Sequence, residues 1–245
     1  MKIAVISDIH ANTLALDSVL SDIFSKGCSK ILCLGDLMLA GYDPNGVVEK
    51  LKSIKEKGEI ALEIIQGNTD LMLTHPIKDG FDRIFAVAPC MAYSYKDDLK
   101  IIKKENINFI NQFPTTKQLE IGGISIFMSH GSPRRVDENI TSDMKEEEVL
   151  EIVKDVNADL ILCGHTHIPC AFQLKTGQTL VNVGSVGRPM TVEKEACWVL
   201  VDINTETHEY VVEHQFTSYD CKLAAQKIRN RGLKENEVLA KMVEG

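Results

Sequence analysis

An α/β fold is predicted, with a parallel sheet in the first half of the chain and antiparallel pairing in the second. Three observations predict it. Short apolar runs alternate with amphipathic stretches up to about residue 65, strand-like runs follow one another after residue 170, and polar side chains of metal-binding type recur where apolar runs end. Alternating strand and helix patterns make a parallel sheet covered by helices, because parallel strands need crossovers that lie on the sheet faces.

Taken in order, residues 2–7 read as a buried strand, and 12–26 as a helix with Leu14, Leu16, Val19, Leu20 and Ile23 largely on one face. Residues 30–34 form a second strand, 44–57 a helix beginning at proline, and 60–65 a third strand. Residues 97–113 carry a loose helical stripe that stops before Pro114. The runs 118–121 and 124–129 flank Gly122-Gly123, a hairpin signal. Residues 144–156 read as a helix and 159–163 as a strand. Strand candidates at 170–174, 179–183, 196–203 and 208–214 then read as antiparallel sheet. Two surface helices, at 219–231 and 235–243, close the chain. With no internal repeat or linker, residues 1–245 are expected to form a single domain, with 215–245 as a C-terminal helical extension.

The composition excludes several function classes. The formal net charge of -8 argues against a nucleic-acid polymer or an anionic membrane as partner, which a positive surface would serve. It leaves room for a small phosphorylated substrate, since bound divalent cations reverse the local sign of an acidic site. The apolar run at the start is too short for a signal sequence, and no run is long enough to cross a bilayer. Seven cysteines at irregular spacing, without a CxxC pair, read as buried and reduced. A cytoplasmic enzyme is expected, with homo-oligomerisation left open.

Five short pieces carry the chemistry: Asp8-Ile9-His10, Gly35-Asp36, Gly67-Asn68-Thr69-Asp70, His130-Gly131 and Gly164-His165-Thr166-His167. Each follows an apolar strand. Ligands of open α/β sheets bind outside the carboxyl ends of the strands, so these pieces are expected to converge. Any one piece alone is weak; the ordered set is not. Aspartate can bridge two cations, histidine supplies imidazole nitrogen and asparagine a neutral carbonyl oxygen. Such an N/O set without thiolate suits Mn, Fe, Zn, Ni or Co, with Mn foremost. The i, i+2 spacing of Asp8/His10 and of His165/His167 places both side chains on one side of an extended segment.

This ordered set resembles the calcineurin-like metallophosphoesterases. The run from Asn182 to Pro189, Asn-Val-Gly-Ser-Val-Gly-Arg-Pro, and the length are similar to the compact single-domain branch of phosphodiesterases and phosphatases. The resemblance covers about residues 1 to 203. It implies a four-layer α/β/β/α sandwich of two mixed sheets flanked by helices. It also implies two divalent metal ions, one held by Asp8, His10, Asp36 and His167, the other by Asp36, Asn68, His130 and His165, with Asp36 as the bridge. Hydrolysis of phosphodiesters or activated phosphomonoesters would then proceed by attack of a hydroxide shared between cations roughly 3.5–4 Å apart. Asp36, Asn68 and His130 would be catalytic, and Asn68 would also touch the phosphate.

Many family members place a histidine after the asparagine of the third piece, against the phosphate or leaving group. Thr69 stands there, and a threonine hydroxyl is no general acid near neutral pH. Substrates whose leaving group needs little protonation are therefore expected. His75 is a candidate replacement acid, although a surface histidine before Pro76 is the simpler reading. Asn12 reads as the N-cap of the following helix rather than a substrate contact. Arg188 is a candidate phosphate ligand, with an ordinary surface ion pair as the alternative. Arg134 and Arg135 read as a solvated loop. The competing function is a scaffold of the same fold, as in a retromer subunit, that binds partners and has lost catalysis. Retention of all seven ligands speaks for the enzyme.

Overall fold

The computed structural model describes residues 1–245. Strand β1 (Lys2–Ile6) leads into helix α1 (Thr13–Ser25), β2 (Lys30–Cys33), α2 (Pro44–Lys57) and β3 (Ala61–Ile64). Four helices follow: α3 (Asn68–Thr74), α4 (Gly80–Val87), α5 (Pro89–Ile101) and α6 (Lys104–Ile110). Next come β4 (Thr116–Ile121), β5 (Ile124–Ser129), α7 (Glu146–Val153), β6 (Leu160–Cys163), β7 (Cys170–Gln173) and β8 (Thr179–Asn182). The chain ends with β9 (Ala196–Asn204), β10 (Glu209–Thr217), α8 (Cys221–Asn230) and α9 (Asn236–Glu244).

Two five-stranded mixed sheets form, ordered β10-β9-β1-β2-β3 and β4-β5-β6-β8-β7. In β1, Ala4 and Ile6 face α1, α2 and the C-terminal helices, while Ile3 and Val5 face the second sheet. The period-two alternation of an all-apolar strand thus fills two cores at once. The inter-sheet core joins Ile3, Val5 and Leu32 to Ile126, Leu160, Val181 and Val201. A smaller core lies beyond the second sheet, where Val149, Ile152 and Val153 of α7 cover Ile161 and Leu180. The result is the expected four-layer α/β/β/α sandwich.

The expected antiparallel second half holds only for nearest neighbours. β9 pairs with β10 and β7 with β8 in antiparallel register, yet the two pairs join different sheets. β8 also runs parallel to β6, and β9 adds antiparallel to β1 in the first sheet. Both faces of β9 are apolar, Trp198 on the helix side and Val199 and Val201 on the inter-sheet side, so it is built for a sheet interior.

The single helix read over 97–113 is two. Ile102 and Lys103 are extended between α5 and α6, and Asn45 of α2 holds the break. Its side chain donates to the Ile101 carbonyl and accepts the Lys103 N–H, each at 2.9 Å. The helical extension expected from 215 begins later, since β10 runs to Thr217, and its helices, expected at 219–231 and 235–243, are not surface elements. Helices α8 and α9 bury Ala224, Ala225, Ile228, Leu239, Ala240 and Val243 in the main core. No helix is long and apolar enough to cross a membrane.

Candidate metal centre

The segments after β1 and β2 run side by side. Asp8 N–H donates to Gly35 O, His10 N–H to Asp36 O and Ala11 N–H to Leu37 O, at 2.8–3.0 Å. To follow this path Asp8, His10 and Asp36 adopt left-handed backbone, with φ of 55°, 46° and 54°, and His165 and His167 do the same at 69° and 60°. Five of the seven expected ligands therefore sit in a region that costs a non-glycine residue about 1 kcal/mol or more, a cost borne where the surroundings over-determine the geometry. Aspartate and histidine tolerate it better than branched residues do.

The side chains converge. Asp8, His10 and His167 form one tight group and Asp8, Asp36 and His130 another, all buried. His167 Nε2 lies 3.1 Å from Asp8 Oδ1 and 3.0 Å from His10 Nε2. His130 Nε2 lies 3.4 Å from Asp36 Oδ2 and 3.8 Å from Asp8 Oδ1. His165 lies outside both tight groups, its ring centroid 5.3 Å from that of His130. Its backbone N–H donates to Asp8 Oδ2 at 3.0 Å.

Three imidazoles are oriented in the same way. The Nδ1–H groups of His10, His130 and His167 donate to the backbone carbonyls of Leu39, Leu34 and Arg188 at 2.9, 2.8 and 2.9 Å. A carbonyl can only accept, so each ring has a proton on Nδ1, which leaves Nε2, facing the aspartate cluster, as the nitrogen that could ligate a metal.

The residues fit divalent metal. Asp8 Oδ1, Asn68 Oδ1 and His130 Nε2 are buried without a hydrogen-bond partner. Polar atoms left unpaired inside an enclosed site are costly unless a bound group such as a cation completes them. The donors are oxygen and imidazole nitrogen alone, since all seven cysteines are free and none belongs to the groups. The two sets share Asp8, whereas the resemblance makes Asp36 the bridge, and their donors suit divalent transition metal rather than a closed structural zinc site.

Electrostatics follow from the enclosure. Burial opposes ionisation of Asp8, but His130 and His167 outweigh it and hold its carboxyl well below the usual range. Asp36 is lowered in the same way, burial being overcome by His130 and His10. Burial pulls His130 down, yet Asp36 and Asp8 raise it to about 10. His10 is lowered by burial and by the charge of Arg188.

Two supports were not assigned from sequence. Asp70 accepts the backbone N–H groups of Asp36, Leu37 and Gly67 at 2.8, 2.9 and 3.0 Å. Burial and then the charge of Asp36 push its carboxyl up to about 7. Asp70 was visible as the last residue of the third piece, but an acidic residue beside ligands carries no mark of what it holds. The second support is the turn at 184–189. Ser185 Oγ donates to Asp8 O at 2.8 Å, and Val186 and Gly187 N–H donate to Ser7 and Asp8 carbonyls.

Other candidates fall as follows. Asn12 caps α1 by accepting the Ala15 N–H, and its amide also donates to Gly187 O at 2.9 Å. Arg188 has no ion-pair partner of the ordinary surface kind: its Nε is buried and unpartnered, and its Nη1 lies 3.3 Å from Met91 Sδ. Burial lowers its affinity for the proton, while Asp36 and Asp8 act the other way. His75 is exposed at the rim of a cleft that reaches Asn68 and Thr69. Arg134 and Arg135 pair with Glu138 and Asp137 in a polar loop.

Carboxylates and imidazoles gathered at the strand ends of an α/β/β/α sandwich define the metallophosphoesterase class. Comparison with known proteins agrees. The pattern of the "Calcineurin-like phosphoesterase superfamily domain" matches residues 1–206. The chain is 32% identical over 250 residues to the uncharacterized protein MJ0912 of Methanocaldococcus jannaschii, covering 95% of this chain and 94% of that one. Its fold is similar to that of the hypothetical protein PH1004 of Pyrococcus horikoshii OT3, with TM-score 0.86 and 21% identity over 100% and 98% of the two chains. It is also similar to a metallophosphoesterase from Sphaerobacter thermophilus, with TM-score 0.76 and 22% identity over 99% and 98%. The chain belongs to the calcineurin-like phosphoesterase superfamily.

Proposed function

We propose that the protein is a dinuclear metal-dependent phosphoesterase acting on small phosphodiesters or activated phosphomonoesters in the cytoplasm. The observation that carries this reading is the common orientation of His10, His130 and His167. Each fixes Nδ1–H on a backbone carbonyl and presents Nε2 to buried Asp8, whose Oδ1 has no partner. We assign Asp8, His10, Asp36 and His167 to one ion and Asp36, Asn68, His130 and His165 to the other, with Mn as the preferred metal. Bound divalent ions supply Lewis-acid neutralisation of the phosphoryl oxygens and acidify water.

The chain's own residues do the rest. Asn68 opens α3 and its Oδ1 is buried without a partner; we assign that oxygen to the second ion and the amide to a phosphoryl oxygen. Arg188, half-buried beside His167, carries a buried, unpartnered Nε, and a guanidinium left unpaired in this way suits an anion such as the phosphate. Thr69 offers no acid to the departing oxygen, so the substrate must leave without one.

The test is reconstitution of metal-free protein with Mn, Ni, Co, Zn or Mg, each assayed on p-nitrophenyl phosphate and bis-p-nitrophenyl phosphate, with metal counted per chain. Turnover with two equivalents of metal is expected. Arg188→Met should raise KM about tenfold or more while metal content holds, as loss of a charge-assisted contact to phosphate requires. Absence of turnover with every metal would leave the partner-binding scaffold as the better reading.

A further inference from the structure

A cleft of about 750 Å³ opens beside the metal centre. Its inner end is formed by Asn68 and Thr69, and its walls by Met72, Ile77, Ile84, Ala88, Met91 and Tyr95 from α3, α4, α5 and the turns between them. Thr69 is tied to the centre directly, its N–H donating to Asp36 Oδ1 at 2.9 Å. Arg188 spans the same boundary, with Nη1 on Met91 Sδ at 3.3 Å. The cleft is thus continuous with the place where a phosphoryl group would sit, and its walls are mainly apolar, with His75, Arg83 and Asp137 also lining it.

We propose that this cleft holds the leaving group of the substrate, and that this group is a large aromatic alcohol. The inference rests on the phosphoesterase reading and adds the substrate class. Two independent observations meet in it. Position 69 carries a threonine, so esters of acidic alcohols, which leave without protonation by a side chain, are favoured. The wall beyond that residue is built from two methionines, two isoleucines and a tyrosine, a lining that gains by covering a flat apolar ring. Its volume falls in the range of about 300–1,000 Å³ of organic-ligand sites, larger than a single phenyl ring needs. In the reaction water adds to phosphorus, the P–O(aryl) bond breaks, and the aryloxide departs with the electron pair. The proton lost by the water goes to solvent, and solvent later protonates the aryloxide.

The test compares three non-hydrolysable phosphonates on the metal-loaded protein by calorimetry: methylphosphonate, benzylphosphonate and 1-naphthylmethylphosphonate. Affinity should rise along that series, with at least about a tenfold gain from methyl to naphthylmethyl if the ring is covered. Ala88→Trp, which fills the cleft, and Ile84→Ser, which removes an apolar wall, should each shrink that gain to about threefold or less while methylphosphonate still binds. Equal affinity for the three ligands, no binding of any, or an undiminished naphthyl preference in both variants overturns the proposal. Turnover of 1-naphthyl phosphate reports separately on the phosphoesterase reading. Ranked binding without hydrolysis removes that reading and keeps the cleft; hydrolysis without ranked binding does the reverse.

Discussion

The carboxylate of Asp70 lies beneath the backbone of Asp36 and accepts its N–H at 2.8 Å. The same carboxylate takes the N–H groups of Leu37 and Gly67, so one side chain clamps the loop that carries Asp36 to the start of α3, where Asn68 lies. Asp70→Asn keeps the shape but turns an amide donor toward backbone donors. Each donor left unpaired costs about 1–3 kcal/mol. A lower Tm is expected, with metal affinity reduced about 10- to 100-fold, as for residues that orient ligands without touching metal. Thermal unfolding and metal titration check this; unchanged values in both would show that the clamp is dispensable.

Metal uptake should release protons. In the metal-free protein His130 is raised to about 10, above its ordinary 6.5, so its imidazole is charged at neutral pH. A ligating imidazole must be neutral. Apparent metal affinity should therefore rise with pH up to about 10 and level off above it. Calorimetry in buffers of different ionisation enthalpy measures the release directly. A binding enthalpy independent of buffer would contradict the assignment of His130 as a ligand.

Arg231 ties the C-terminal segment to the loop after Asp36. Its guanidinium donates to Asp97 and Asp98 at 2.8 Å each and to Gly41 O at 2.6 Å. Asp98 is fully enclosed, and burial pushes its carboxyl up to about 6 despite the opposing charge of Arg231. Arg231→Met leaves that buried carboxylate unpaired, which costs about 3–5 kcal/mol at pH 8. The sign with pH follows from a folded-state pKa raised above the unfolded value near 3.8. Ionisation of Asp98 weighs against the folded state, so the loss is largest above the folded pKa and shrinks as pH falls through it. Denaturant midpoints at pH 8 and pH 5 test this, and equal losses at both would refute it.

Gly187 lies where the turn after β8 meets the segment after β1. A Cβ there would run into the carbonyl of Ile9 and crowd Asn12. Gly187→Ala should push the turn off the metal loop and cost about 1–3 kcal/mol of stability by overpacking. It should also move the neighbouring Arg188, so phosphonate binding weakens along with Tm. A variant with lower Tm and intact phosphonate affinity would separate the turn's structural role from any role in holding anion.

Much of the site was legible along the chain because its residue types are chemically distinctive and each follows a strand. The βαβαβ rhythm ordered β1, β2 and β3 correctly, since a doubly buried strand has a recognisable apolar run. The Asn12 cap was legible for the same kind of reason, a side chain matched to a local backbone need. Helices α3 and α4 were not, because the first turn of α3 is itself the ligand motif Asn68-Thr69-Asp70 and reads as loop. The break between α5 and α6 depends on Asn45, more than fifty residues earlier.

The sequence by itself singled out the side chains of the candidate centre, two aspartates, four histidines and an asparagine, on segments that follow apolar strands, and five of them fall in the two tight groups. Only the tertiary structure decided how they are held. The carbonyls of Leu34, Leu39 and Arg188 orient three imidazoles, and a backbone carbonyl is the same group whatever residue bears it. The pairing of β9 with β1, the left-handed backbone at five expected ligands and the cleft against Thr69 likewise arise from segments distant in sequence. Local composition specifies chemistry, while long-range packing specifies direction, and the reach of Asp8 and Asp36 to a shared point depends on direction.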